Sequence, residues 1–248
     1  VVRKAFKLAQ SEKPGACFIE FPENIAEMPI DDAPLQVRYP HAPEPPQDRV
    51  EAAAELISNA RNPIILAGNG VIRGKAWKHL HDFSQKLNIP VANTFMAKGV
   101  VPFANNHLAL GSAGLQSQDY VKCGFDRADL VICIGYDLVE YHPFLWHPTR
   151  DRNILHIDAS PAEVDAWYGV EVGVVGDIKH SLLRIGELAT PHQGHPMRAL
   201  RGALIEEMDD HAEDEGFPVK PQRLIWDLRT AMAREDIAVC DVGAHKMW

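Results

Sequence analysis

The chain has 248 residues, with 34 acidic against 25 basic side chains and a formal net charge of −9. This balance, with no Lys/Arg run, argues against a general nucleic-acid surface. No apolar stretch approaches the length that spans a bilayer. A composition of 46% hydrophobic and 24% charged residues is that of a globular chain able to bury a sizeable core.

Cys17, Cys123, Cys133 and Cys240 are scattered without a CxxC pair, which argues against a disulfide framework or a zinc site. Three of them, Cys17, Cys133 and Cys240, sit in apolar runs that predict reduced, buried thiols, and a cytoplasmic location is expected. The N-terminus lacks an initiator Met and the apolar block of a signal peptide. The expectation is that the chain begins inside something larger or was processed.

In chain order, residues 1–10 carry an amphipathic helical pattern stopped at Lys13-Pro14-Gly15, and residues 16–21 predict a strand ended by Pro22. Residues 28–47 hold six prolines and read as an extended linker. A regular alternation follows. Asp48 is the expected N-cap of a helix over 49–60. Buried strands are predicted at 63–67, 90–94, 130–134, 153–157 and 172–175, with a short one at 108–111. Helices are predicted over 74–87, 119–128 and, capped by Asp177, to residue 188. Apolar strands separated by helices imply a parallel sheet covered on both faces. Residues 48–188 therefore predict an α/β domain, a doubly wound parallel sheet of about five or six strands. A break at 190–194 leads to a charged amphipathic helix over 197–213, expected to pack on a surface. A helix over 221–233 and a strand over 237–240 close the chain.

Among the motifs, Gly68-Asn69-Gly70 follows a strand, where a phosphate would meet backbone N–H groups. The spacing to Gly74 is one residue longer than the dinucleotide fingerprint, and no acidic residue lies in 88–94. A tight turn without ligand is the favoured reading over an NAD site, and no P-loop is present. Gly99, Gly111 and Gly114 are read as turns or as close approaches to a flat ligand. The twelve histidines, among them His79, His81, His142, His147, His192 and His195, form no ligand-spaced cluster, so no metal site is expected. Asp137, Glu140 and Asp158 follow strand ends and are candidate site carboxylates, with capping the commoner role. Tyr136, Tyr141, Phe144 and Trp146 carry too much aromatic area to stay exposed and predict burial against this domain or a neighbour, with an interface favoured over a cofactor box.

Several stretches together resemble thiamine-diphosphate enzymes and are most similar to acetolactate synthases of the large-subunit or catabolic type. AFKLAQSEKPGACFIEFPENIA resembles the end of their pyrimidine-binding domain. RNPIILAGNGVIRGKA, PVANTFMAKGVVP, FDRADLVICIGYDLVEYHP and RNILHIDASPAEVD resemble their Rossmann-like central domain, and AVCDVGAHKMW the opening of their diphosphate-binding domain. The resemblance implies a middle slice of a longer enzyme. Residues 1–27 would end the pyrimidine-binding domain and 28–47 form a linker. The central domain would occupy 48–188, a linker with a helix 189–217, and the diphosphate-binding domain would start at 218–248.

The implied parent uses thiamine diphosphate and Mg²⁺, converts two pyruvates, or pyruvate and another 2-oxo acid, to 2-acetolactate or its homologue with loss of CO₂, and forms a homodimer or homotetramer. In the family the activating Glu and the metal-binding Asp…Asn motif lie outside the matched stretches. The resemblance therefore places no catalytic residue and no metal ligand here, and implies that the chain alone is inactive and binds no cofactor tightly. Gly243, Ala244 and His245 match the turn that approaches the diphosphate. The resemblance argues against FAD, because 135–141 lacks the Arg-rich run of flavin-containing members. Thr94, Lys98 and Gly99 nevertheless resemble a flavin-side loop and, with Gly68 and Gly70, are the candidate nucleotide residues. A stand-alone nucleotide-binding module, a related decarboxylase or carboligase, and a purely structural joining role remain open.

Overall fold

The computed structural model describes residues 1–33, 35–36, 42–114, 120–163, 165–194, 197–239, 241 and 243. His195, Cys240, Ala244 and His245 lie outside the described residues.

Strands β1 (Pro63–Ala67), β2 (Val91–Asn93), β3 (Ala109–Ser112), β4 (Leu130–Ile134), β5 (Asn153–Asp158) and β6 (Val172–Val175) form one sheet in the order β3-β2-β1-β4-β5-β6. Every pairing is parallel. The helices in chain order are α1 (Val2–Gln10), α2 (Glu23–Ala26), α3 (Gln47–Asn59), α4 (Asn69–Arg73), α5 (Trp77–Leu87), α6 (Tyr120–Arg127), α7 (Pro143–Trp146), α8 (Ile178–Leu188), α9 (Arg198–Asp210) and α10 (Pro221–Ala231). The expected doubly wound architecture is thus present, with six strands. The strand order reverses between β1 and β4, which pair in register from Pro63–Leu130 to Ala67–Ile134.

The two-residue period of the strands splits the core into two layers. Ile65, Ala67, Ile132, Ile134, Leu155 and Ile157 face α3, α5 and α8, which contribute Ile57, Leu80, Phe83, Leu182 and Ile185. On the other face Ile64, Leu66, Val131, Cys133 and Ile154 meet Phe125 of α6, Trp146 of α7, and Met197 and Leu200 at the start of α9. Fully buried strands of this kind read as continuous apolar runs, which made them legible in the sequence.

The aromatic run after β4 buries within its own domain. Trp146 is 0% exposed, and the Phe125, Tyr136 and Tyr168 rings lie 5.6, 6.1 and 6.3 Å from it. The interface expected for this run is therefore not needed for Tyr136, Tyr141 or Trp146; only Phe144 stays half exposed.

Other expectations are corrected. Residues 16–21 form no strand: Cys17 is exposed and Phe18 is 93% exposed, because no described strand pairs with them. Residues 237–239 likewise form no strand and are exposed. A lone strand leaves its backbone groups without ladder partners and is not stable. The first domain helix begins at Gln47 with Pro46 before it, so Asp48 lies in the first turn and pairs with Arg49 rather than capping. The helix expected over 74–87 starts three residues later, as α5 at Trp77, and a separate short helix, α4, precedes it. Asn69 already opens α4, and a left-handed Lys75 (φ 52°) redirects the chain into α5. Asp177 caps α8 as expected, accepting from the Lys179 and His180 N–H groups at 2.8 and 3.2 Å.

The α9 helix is anchored more firmly than a surface helix. Arg201, 9% exposed, donates to the backbone carbonyls of Ala109 and, at 2.8 Å, Phe103, with its guanidinium 4.1 Å from the Phe103 ring centre.

Candidate functional site at the carboxyl edge of the sheet

In an open doubly wound sheet a ligand binds beyond the carboxyl ends of the strands, at the point where their order reverses. Here that point lies between Gly68, which follows β1, and Gly135, which follows β4. The two loops touch backbone to backbone. The Gly68 N–H donates to the Ile134 carbonyl at 2.9 Å, and the Gly70 N–H to the Gly135 carbonyl at 2.7 Å. A side chain at Gly70 would come within 2.6 Å of the Gly135 Cα. Gly135 has φ +58°, and a Cβ there would lie 2.7 Å from the Gly70 carbonyl carbon. The glycines serve this close approach.

Into the remaining space the loop after β4 inserts Glu140. The Asn69 N–H, the first of α4, donates to Oε1 and Oε2 at 3.1 and 3.0 Å. Thr94 Oγ1, at the end of β2, donates to Oε2 at 2.5 Å, and the Asp137 N–H to Oε1 at 3.2 Å. One carboxylate thus joins the loops after β1, β2 and β4. The opening turn of a helix favours an anion, and the anion present is the protein's own. Burial pushes the Glu140 carboxyl above its ordinary value, although the Thr94, Asn69 and Asp137 donors partly hold it down.

Of the five candidate nucleotide residues, Gly68, Gly70 and Thr94 are brought together around Glu140. Lys98 and Gly99 instead line a separate shallow groove of about 310 Å³ with Ile72, Trp77 and Val100. Gly243 follows an exposed stretch in which Val239 is 93% exposed. Sequence reasoning named Glu140 only as one carboxylate among three and did not place it in the crevice. The available signal was its position in the loop after the buried β4 strand, opposite a Gly-rich turn.

A larger cleft of about 440 Å³ lies beside the crevice, beyond the carboxyl end of β5. It is lined by Gln10, Glu12, Pro14, Ala42, Arg73, Gly74, Ala159, Asp177 and Ile178. Beneath Ala159, Asp158 is 2% exposed; burial raises its carboxyl to about 6, against the bond from the Ala159 N–H at 2.6 Å. Its β5 neighbour His156 is 3% exposed, bonds the Tyr168 hydroxyl at 2.9 Å, and is lowered by burial to about 4. Burial lifts Cys133 to about 12, so it remains an unreactive thiol. Asp137 is ion-paired with Lys13 at 2.7 Å. Among the described residues no group of three or more His, Cys, Asp or Glu side chains is placed to hold a metal ion, and no helix is long and apolar enough to cross a membrane.

Comparison with known proteins agrees with this architecture. Residues 50–185 match the model of the thiamine pyrophosphate enzyme central domain. The whole chain aligns with acetolactate synthases of Bacillus subtilis (27% identical, 44% of that protein covered) and Mycobacterium leprae (28%, 41% covered). It also aligns over its full length with the glyoxylate carboligase of Escherichia coli O157:H7 (27%, 43% covered). The chain therefore spans less than half the length of these relatives. Its fold is shared with the crystal structure of benzoylformate decarboxylase from Polynucleobacter necessarius: TM-score 0.70 and 19% identity, over 94% of this chain and 43% of that one. Residues 50–185 are more than half of the chain, and with the sheet order above they establish that it belongs to the thiamine pyrophosphate enzyme family, carrying that family's central domain.

Proposed function

We propose that the chain is the central part of an acetolactate-synthase-like enzyme, in which it is a scaffold that joins and orients the cofactor-binding domains. The observation that carries this reading is that acetolactate synthases align with the entire chain while extending well beyond it. The edges of the chain support it. The α1 and α10 helices bury no residue, and Phe6, Leu8, Phe18, Phe21, Leu224 and Leu228 are all exposed. In this reading residues 1–27 and 218–248 are pieces of the two flanking domains, and these apolar side chains pack against the remainder of those domains.

Thiamine diphosphate supplies the carbanion chemistry of such enzymes. The described residues do not fit it by themselves. The switch-point crevice, where a diphosphate would meet backbone N–H groups, is filled by Glu140, and no described cluster suits Mg²⁺. We therefore assign both groups to a site completed by the longer protein and its homo-oligomeric partner, with Gly243, Ala244 and His245 at its edge. The filled crevice also weighs against reading the domain as a stand-alone dinucleotide binder.

The test is substrate profiling of the full-length polypeptide that encloses this chain, with thiamine diphosphate and Mg²⁺ and with pyruvate, glyoxylate or benzoylformate as the 2-oxo acid. Formation of 2-acetolactate from pyruvate as the preferred reaction is expected. Preferred carboligation of glyoxylate, or release of an aldehyde from benzoylformate without carboligation, would replace the acetolactate reading by one of its relatives.

A further inference from the structure

The 440 Å³ cleft has one wall of a different character from the others. Its floor and far side belong to the domain: Arg73 and Gly74 at the end of α4, Ala159 after β5, and Asp177 and Ile178 at the start of α8. The wall at Ala42 is tied down, since the Asp177 N–H donates to the Pro43 carbonyl at 2.8 Å and Arg184 to the Pro45 carbonyl at 2.9 Å. The remaining wall is formed by Gln10, the last residue of α1, with Glu12 and Pro14 just beyond it.

This segment crosses the carboxyl edge with charges on both sides. Glu12 pairs with Arg73 of α4 at 3.1 Å. Lys13 pairs with Asp137 after β4 at 2.7 Å and with Glu163 after β5 at 3.1 Å. Two adjacent residues of opposite sign thus meet one helix end and two separate loops, each with its complement. Apolar anchoring is missing, because α1 buries no residue and residues 12–18 are exposed. The paired side chains are themselves between 18% and 58% exposed. Pairs of this kind shift a population by a factor of up to about five each and weaken with salt. The segment is therefore held by contacts strong enough together to favour closure and weak enough singly to release.

We propose that residues 10–14 are an ion-pair strap that closes one side of this cleft, and that the strap opens when its charges are screened or removed. The device would couple access to the cleft to the placement of α1 and whatever α1 packs against. Burial opposes the Lys13 charge, but the Asp137 and Glu163 carboxylates more than reverse that effect and raise its pKa, so the strap stays charged at neutral pH.

The test uses the full chain with spin labels at Lys7→Cys and Lys179→Cys, with Cys17, Cys123 and Cys240 changed to Ser and buried Cys133 retained. Electron–electron distance distributions are recorded in low salt and in about 0.5 M NaCl, where the screening length falls to a few ångströms. A single narrow distance in low salt is expected, with at least a threefold rise of a longer, broader population in high salt. Arg73→Glu combined with Lys13→Ala should show that broad population in low salt. Adding Glu12→Arg to Arg73→Glu in a Lys13 background should restore the narrow distance, which separates a lost ion pair from misfolding. A distribution unmoved by salt and by these substitutions, or one already broad in low salt for the parent sequence, would overturn the proposal.

Discussion

The Asn69 N–H and the Glu140 carboxylate face each other across the reversal point of the sheet at 3.0–3.1 Å. A buried donor left without a partner costs about 1–3 kcal/mol. Glu140 satisfies the Asn69 and Asp137 N–H groups and the Thr94 hydroxyl together. Glu140→Ala is therefore expected to lower unfolding stability by about 2–4 kcal/mol. Glu140→Gln keeps an acceptor oxygen and removes a carboxylate that burial already disfavours, so it should stay within about 1 kcal/mol of the parent at pH 7. Urea denaturation of the three forms checks the order; a Gln variant as unstable as the Ala variant would show that the charge itself is required.

The glycine contact beneath Glu140 gives a sharper expectation. Gly135 has φ +58°, and a Cβ there would press on the backbone of Gly70 and Val71. Backbone cannot swing away as a side chain can, so Gly135→Ala should cost more than about 4 kcal/mol or abolish soluble expression. Gly169→Ala, where a Cβ meets nothing within 4 Å, should be close to neutral. Thermal denaturation of the two variants checks this difference; equal midpoints would contradict it.

Asp158 and His156 predict opposing pH dependences. Asp158 has a raised folded pKa of about 6. Its protonation favours the folded state, so its contribution falls as pH rises from about 4 to 6. His156 is lowered to about 4. The unfolded chain takes up that proton first, so the His156 contribution grows as pH rises from about 4 to 6.5. Each amounts to roughly 3 kcal/mol at 1.36 kcal/mol per pKa unit, and the two nearly cancel. Asp158→Asn should leave stability near pH 4 unchanged and raise it by about 2–3 kcal/mol at pH 7.5. That variant then shows the rising His156 slope that the parent hides. Stability measured at half-unit steps from pH 4 to 7.5 decides this, and parallel curves for parent and variant would refute the assignment.

The α9 helix should belong to the domain's stability. Arg201→Ala removes donors from the Phe103 and Ala109 carbonyls and the contact with the Phe103 ring. A loss of about 2–3 kcal/mol is expected. A chain cut after residue 190 should lose at least as much, because it also uncovers the face that Met197 and Leu200 bury. Equal stability of the cut and uncut chains would return α9 to the role of a linker.

The fold was legible where the physics is local and repetitive. The apolar runs at 63–67 and 130–134 are short and rich in β-branched residues, which favours strands buried on both sides, and the Asp177 cap is a short-range hydrogen-bond preference. Residues 16–21 and 237–239 have the same local pattern but no neighbouring strand among the described residues, and pattern alone carries no information about neighbours. The candidate site was less legible, because its key contacts link residues far apart in sequence: Glu140 with Asn69 and Thr94, Glu12 with Arg73, and Lys13 with Asp137 and Glu163. The Gly-rich turn was visible and its odd spacing was informative, yet nothing local to it announces that a carboxylate seventy-one positions on fills the space above it. Arg201 was lost in a charged helix for the same reason, since only the tertiary structure shows which of its arginines points inward.

If this chain is a scaffold whose catalytic site is completed in a longer enzyme, as we propose, it cannot turn over pyruvate by itself. The most direct measurement is the rate of CO₂ release from pyruvate, with saturating thiamine diphosphate and Mg²⁺, for the 248-residue chain and for the full-length polypeptide that encloses it, at equal molar concentration. Turnover by the full-length protein is expected, and none above a protein-free control for the chain alone. Turnover by the isolated chain comparable to that of the full-length protein would contradict the proposal.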